Sequence, residues 1–310
     1  MAFKLKNFTV QAFNRDVNQS GDLLRKYAAW SGYRARVAAL IGDALAQHPA
    51  IDRALVLAAG NLNDIVLHFL CGNLRSLTLS DADTDAVERG IDRQSLSEGE
   101  RAKIQIVQAD YTGAAQAGFF DALEKRVRQQ ATAQELAHHI QAALAVLAAA
   151  PIQKVEQPYP LVVSCPVYTQ LLYTQIEVFL KLLYEAQRYS YDDLNLILNA
   201  AYGEIPGILT RYNTMLCNAC APDGRIVLLS DMVEMDIGGK AYCQAQQAAA
   251  NGQINAQDAV ALIAEYGSEL AQIGREDFRK RTQTIQEQYL LWPFDESKAY
   301  LVSACLAELL

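Results

Sequence analysis

The feature that most restricts the fold is a series of short strand-like runs, each closed by a glycine or an aspartate. Ala54-Leu55-Val56-Leu57-Ala58-Ala59 ends at Gly60, Leu74 to Ser80 ends at Asp81, and Ile104 to Ala109 ends at Asp110. A continuous apolar run as short as the first suits a strand covered on both faces, as in a parallel sheet. Helical spacing separates the runs, at Asp64 to Leu70, at Thr84 to Ser97 and, as two helices, across 117–149. Leu161 to Ser164 reads as a fourth strand, reached through Pro158 and Pro160. A helix follows over Leu171 to Ala186, with Leu172, Ile176, Phe179, Leu180 and Leu183 on one face. After a turn at Ala221-Pro222-Asp223-Gly224 comes a fifth strand, Arg225 to Ser230. The segment 240–288 reads as helical and polar, and Tyr300 to Cys305 as a last strand approached through Trp292 and Phe294. Strands alternating with helices predict an α/β fold: a Rossmann-like three-layer sandwich around a mostly parallel sheet.

Residues 1 to about 50 have a different character. Val37, Leu40, Ile41, Ala44 and Leu45 form the stripe of an amphipathic helix. The expected organisation is an N-terminal helical cap over 1–50, then a Rossmann-like domain over 51–310 with a helical insertion at about 236–288. Tyr27, Trp30 and Tyr33 precede the stripe and suit either packing between helices or the wall of a ligand pocket.

Composition narrows the class. With 310 residues, 51% hydrophobic and 20% charged, the chain buries a large core without staples. Six scattered cysteines in a chain this long do not form a secreted disulfide framework. The start, Met1 to Phe8, lacks the apolar core of a signal peptide. The most apolar stretch, Ala142 to Ile152, falls short of the ~20 residues that span a bilayer. A cytoplasmic, reduced protein with no membrane partner is expected. The net charge of −8 disfavours a nucleic-acid partner and leaves a small-molecule substrate. Oligomeric state is not read from the sequence.

On an open parallel sheet, ligands bind beyond the carboxyl ends of the strands, near the point where strand order reverses. Gly60, Asp81, Asp110 and Ser164 to Tyr168 fall there. A glycine at a strand-to-helix turn lets the backbone approach a ligand. An acid about twenty residues further on suits hydrogen bonds from ribose hydroxyls. Asp81 reads equally as a helix N-cap, a role that Asp83 or Asp85 also fits. Asp110 suits either a nucleobase contact or a simple loop.

Val56 to Asp64, Leu79 to Asp83 and Val107 to Asp110, in that order, resemble the first three motifs of class I S-adenosylmethionine-dependent methyltransferases. Leu161 to Cys165 falls at the fourth, and Pro222 to Leu228 is similar to that family's turn and fifth strand. The resemblance implies that S-adenosylmethionine is the cofactor. It implies that Gly60 lines the methionine side, that Asp81 binds ribose and that Asp110 lies near adenine. Around them Asn61, Asn63, Asp64, Ala82, Tyr111 and Ser164 are candidate cofactor contacts. The family carries further glycines in the first loop and an acid before it. Here only Gly60 is kept, with Ala58 or Leu62 at a neighbouring glycine position, and Asn61, Asn63 or Asp64 stands in for the acid. Ser164 to Tyr168 is similar to the family's amino-methylating loop at Pro166 and Tyr168 only.

Methyl transfer needs positioning and, for a hydroxyl or ammonium acceptor, a base. Tyr168, Asp231 and Glu234 are the candidates. His68 reads as packing, and His138-His139 as a solvated edge. Cys217-Asn218-Ala219-Cys220 lacks a second pair for zinc, and Gly238-Gly239-Lys240 lacks the rest of a phosphate loop, so no metal is expected. Two rival readings stand beside methyl transfer: a non-catalytic protein that keeps the fold, favoured by the missing glycines, and a nicotinamide-dependent oxidoreductase, disfavoured by them.

Overall fold

The computed structural model of the chain describes residues 8–19, 23–152 and 157–310. Its strands are β1 (Arg53–Leu57), β2 (Ser76–Asp81), β3 (Ile104–Gln108), β4 (Tyr159–Ser164), β5 (Cys220–Asp236), β6 (Ala249–Ala250), β7 (Gln253–Ile254), β8 (Thr282–Trp292) and β9 (Lys298–Leu309). They form one open sheet in the order β3-β2-β1-β4-β5-β9-β8-β7-β6. The pairs from β3 to β5 are parallel; β9 runs antiparallel to β5, and β8 antiparallel to β9. The fold is the expected α/β, Rossmann-like three-layer sandwich.

The apolar runs are continuous because both faces are covered. Leu55, Leu57, Val162, Ile226 and Leu228 point to one face, where they meet the helices Phe119–Arg128, Ala133–Ala149, Tyr173–Glu185, Tyr191–Tyr202 and Ile205–Ala219. Ala54, Val56, Leu161, Val163 and Val227 point to the other, against Ser31–Gln47, Leu67–Asn73 and Thr84–Arg93. The alternation is the two-residue period of a strand. A third cluster, around Met232, Met235, Leu262 and Leu301, packs the helices Lys240–Ala248 and Ala256–Tyr266 onto the far ends of β5 and β9.

Four expectations change. The helix Ser31–Gln47 is a layer of the sandwich rather than part of a cap: Val37, Leu40, Ile41 and Ala44 are fully buried in the second core. Of the expected cap, residues 1–7 and 20–22 lie outside the described residues, and Val10–Gln19 is the helix that lies over the strand ends. The helical reading of 240–288 ends at Arg279, and it is interrupted by the β6–β7 pair. The strand β8 was hidden because its apolar residues gather at one end, at Tyr289, Leu290 and Trp292, so neither period is visible in Thr282 to Gln288. The expected turn at 221–224 lies inside β5 as a bulge: Cys220 pairs with Tyr159, and Arg225 already pairs with Leu161. His68 is on the surface, where it pairs with Glu100 at 2.8 Å, and does not pack in the core.

Among the described residues no helix is long and apolar enough to cross a membrane. All six cysteines are unpaired.

Candidate functional site

Strand order reverses between β1 and β4, and a cleft opens beyond the carboxyl ends of β1 to β4 at that point. Its floor is Ala58 to Asn61 after β1, with Asp81 and Ala82 after β2. Ala109 to Thr112 after β3 and Cys165 to Val167 after β4 complete it. Asn14 and Asn18 of the helix Val10–Gln19 overhang it, and Trp30, Trp292 and Phe294 close one side.

The loop after β1 has an alternating backbone. Ala58, Gly60 and Leu62 all take left-handed conformations, at φ 54°, 48° and 56°. Glycine adopts this region freely, whereas each residue with a Cβ pays roughly 1–2 kcal/mol. Both Ala58 and Leu62 therefore stand where a glycine is the relaxed choice, one on either side of Gly60. The surroundings hold this shape. Gln94 donates to the carbonyls of Leu62 and Ile65 and accepts the Leu67 N–H. Arg93 donates to the carbonyl of Asn61 and to Asn63 Oδ1. Gly90 lets its helix touch the loop: a Cβ there would lie 2.5 Å from the Asn61 carbonyl oxygen.

Asp81 is buried at the end of β2. Its Oδ2 accepts the N–H of Gly60 at 2.8 Å, and its Oδ1 accepts the N–H of Asp83 at 2.8 Å. Burial raises its carboxyl above the ordinary range, opposed by those two bonds. Helix capping falls to Asp83, which accepts the Ala86 N–H, so Asp81 is left for the cleft. A carboxylate accepts about four hydrogen bonds, so acceptor capacity remains. Asp110 holds its own loop: Oδ1 accepts from the Thr112 amide and hydroxyl, and Oδ2 from the Ala115 amide. Tyr111 ties β1 to β2, accepting from the Ala58 amide and donating to Ser80. Its hydroxyl serves the scaffold, and the residue also lines the cleft.

The amide nitrogen of Asn61 is committed, while its Oδ1 is buried without a partner. Asn61 Nδ2 donates to the Asn18 carbonyl, at 2.7 Å, and Asn18 Nδ2 donates to Asp83, which pins the overhanging helix to the loop. Asp64 Oδ1 is also cut off from solvent and has no hydrogen-bond partner, and burial pushes its carboxyl up to about 6 against the opposing pull of Tyr33 and Arg34.

Two candidates line neither this cleft nor the cavity beside it. Tyr168 is buried in the first core, donating to Asn213 Oδ1 at 2.6 Å. Ser164 is fully buried and bonds the Tyr212 hydroxyl at 2.8 Å. Side chains alternate along a strand, so Cys165 faces the cleft and Ser164 does not.

A second cavity adjoins the first, sharing Gln170, Trp292 and Phe294 as walls. Asp231 and Glu234 of β5 line it, with Phe13, Thr169 and Tyr300. Asp231 sits at a bulge: it pairs with Val302 and Val233 pairs with Leu301, leaving Met232 extra. Its Oδ2 accepts the Thr169 hydroxyl, its Oδ1 is buried without a partner, and burial pushes its carboxyl up to about 6. Glu234 is already bonded to Lys298 and to the Tyr300 hydroxyl. Asn14, Asn18, Gln170 and Gln175 were not singled out from the sequence, where nothing distinguishes a helix side chain that overhangs a cleft. Trp30 does both of the things expected of it: it lines the cleft and meets Trp292 edge-on at 4.7 Å.

No family model matches the chain, and no curated protein matches it in sequence. Solved structures similar to it include the N-methyltransferase NodS of Bradyrhizobium japonicum in complex with S-adenosyl-L-homocysteine, at 13% identity over 95% of this chain and 97% of that one, TM-score 0.43. The glycopeptide N-methyltransferase MtfA complexed with S-adenosyl-L-methionine aligns at 11% identity over 88% and 94%, TM-score 0.41. An S-adenosylmethionine-dependent methyltransferase of Clostridium acetobutylicum aligns at 9% identity over 96% and 99%, TM-score 0.42.

Proposed function

We propose that the cleft binds S-adenosylmethionine and that the protein transfers its methyl group to a small molecule held in the adjoining cavity. The observation that carries this reading is the left-handed alternation at Ala58, Gly60 and Leu62 beside the buried Asp81. The sequence keeps a single glycine in this loop, yet the backbone takes a course that glycine alone adopts freely, at a cost, and strain of this kind concentrates at functional sites.

The residues suit such a ligand. Among the described residues, Asp64, Asp81 and Asp110 line the cleft against Lys26 as its one basic residue, an excess of negative charge that favours a cation. Asp81 keeps lone pairs for ribose hydroxyls. Asp64, with a buried and unpartnered oxygen, is the group left to take the ammonium of the methionyl end, the place of the acid that is absent before the loop. Ala82 and the Ala109–Thr112 loop flank the base. When bound, the cofactor supplies a methyl group on a positively charged sulfur. The protein's part is to hold that group toward the second cavity, exclude water with Trp30, Trp292 and Phe294, and fix the acceptor.

Both tryptophans of the chain line the cleft, so their emission reports on its contents. Titration with S-adenosylhomocysteine should change the emission saturably, and Asp64→Asn should weaken the affinity about tenfold or more, the worth of a charged hydrogen bond. A saturable response to NAD with none to the sulfur nucleosides would overturn the reading.

A further inference from the structure

Among the described residues, the second cavity holds a carboxylate with a buried oxygen that no partner satisfies. Asp231 is buried, its Oδ1 has no partner, and its Oδ2 is satisfied only by the Thr169 hydroxyl. The neighbouring charge that acts on it is Glu234, of its own sign, and the cation nearest to that glutamate, Lys298, is bonded to the glutamate itself. An isolated buried carboxylate is costly, and the cost is relieved when a cation pairs with it. Beside Gln170, Thr174 and Ser268, the wall carries the aromatic residues Phe13, Trp292, Phe294 and Tyr300, and aromatic rings attract a cation and pack against an apolar body. Asp231 is the last residue of β5 in register with β9 before the bulge at Met232, and bulges are common beside binding sites. Trp292 stands between this cavity and the cofactor cleft, and its indole N–H is also buried without an acceptor.

We propose that this cavity binds the methyl acceptor, and that the acceptor is a small amine with an apolar body, held at its nitrogen by Asp231. The proposal rests on the cofactor reading above. The amine arrives as R–NH3+, pairs with the Asp231 carboxylate and passes one proton to it. The freed nitrogen lone pair forms the N–C bond as the methyl carbon's bond to sulfur breaks, and that electron pair stays on sulfur as a neutral thioether. The product leaves as R–NH2+–CH3, and Asp231 returns its proton to solvent. An alcohol in the same place would bring neither the charge that Asp231 lacks nor the interaction with the rings.

The test is calorimetric and begins with protein saturated by S-adenosylhomocysteine. Hexylamine and 2-phenylethylamine are titrated in, then hexanol and 2-phenylethanol. At least one amine is expected to bind at least about tenfold more tightly than its alcohol, the discrimination of a charge-assisted bond. Asp231→Asn should remove that preference while S-adenosylhomocysteine still binds, which also shows the variant folded. Alcohols binding as well as amines, no amine binding to the loaded protein, or an amine preference that survives Asp231→Asn would each overturn the proposal. Failure of S-adenosylhomocysteine to bind wild-type protein in the first step would strike the cofactor reading instead.

Discussion

The carboxylate of Asp81 accepts the backbone N–H of Gly60 at 2.8 Å, which joins the end of β2 to the loop after β1. One side chain thus sets the course of the loop and faces the cleft it borders. Asp81→Asn keeps the size and removes the charge. It should reduce affinity for S-adenosylhomocysteine about 10- to 100-fold, the range of a charged hydrogen bond. Equilibrium dialysis measures it; unchanged affinity would remove Asp81 from the site.

The left-handed residues flanking Gly60 predict an unusual response to substitution. Ala58→Gly should leave stability unchanged or raise it by up to about 1 kcal/mol, because relief of strain outweighs the added freedom of the unfolded chain. Ala58→Val should cost about 1–3 kcal/mol, since a β-branched residue fits this region worst. Urea unfolding of the two variants gives the comparison. Equal stabilities would mean that the backbone at Ala58 carries no strain.

Gly90 sits inside the helix Thr84–Arg93, where alanine is ordinarily better by about 1 kcal/mol. Its Cβ would meet the Asn61 carbonyl at 2.5 Å. Gly90→Ala should therefore destabilise by about 1–3 kcal/mol, as overpacking does, and should weaken cofactor binding by displacing the loop. A stabilised variant would contradict the contact.

Asp64 and Asp231 predict a pH dependence of definite sign. Both carboxyls are pushed up to about 6 by burial from an ordinary value of 3.8. The folded state therefore binds more protons than the unfolded state between those values, and the stability of the free protein falls as pH rises from about 4 to about 6 on their account. Asp64→Asn and Asp231→Asn should each be more stable than wild type at pH 7.5, with the advantage shrinking toward pH 4. Ligand affinity should move the other way for Asp64. An ammonium needs the carboxylate, so binding to wild type weakens below about pH 6. Thermal unfolding and titration across pH 4 to 8 would read both trends.

Tyr168 gives the contrasting case. Its hydroxyl satisfies Asn213, whose amide holds the Gly274 carbonyl and Asp277. Tyr168→Phe should cost about 1–3 kcal/mol by leaving Asn213 short of a partner, with nucleoside affinity unchanged. A lost affinity at unchanged stability would return Tyr168 to the site.

The strands and their order of chemistry were legible in the sequence for a physical reason. A strand covered on both faces must be apolar throughout, and its end must be marked by a residue that turns the chain, which is how Gly60, Asp81 and Asp110 stood out. Direction was not legible. Ser164 and Cys165 are adjacent, and only the covered faces of β4 decide which of them reaches the cleft. The choice of cap among Asp81, Asp83 and Asp85 depended on one backbone turn, and Asp83 took it. Asp231 could be named but not ranked above Glu234, because what separates them is an ion pair with Lys298 across the sheet. The helix Val10–Gln19 over the cleft could not be placed at all, since Asn18 meets Asp83 and Asn61 through contacts with no local signature.

The most direct test of the account is a calorimetric titration of wild-type protein with S-adenosylhomocysteine, with NAD and NADP run alongside. The account predicts one saturable site for the sulfur nucleoside at micromolar affinity and no heat from the two nicotinamide nucleotides. A folded sample that binds none of them would contradict it and leave a scaffold that has kept the fold without the cofactor.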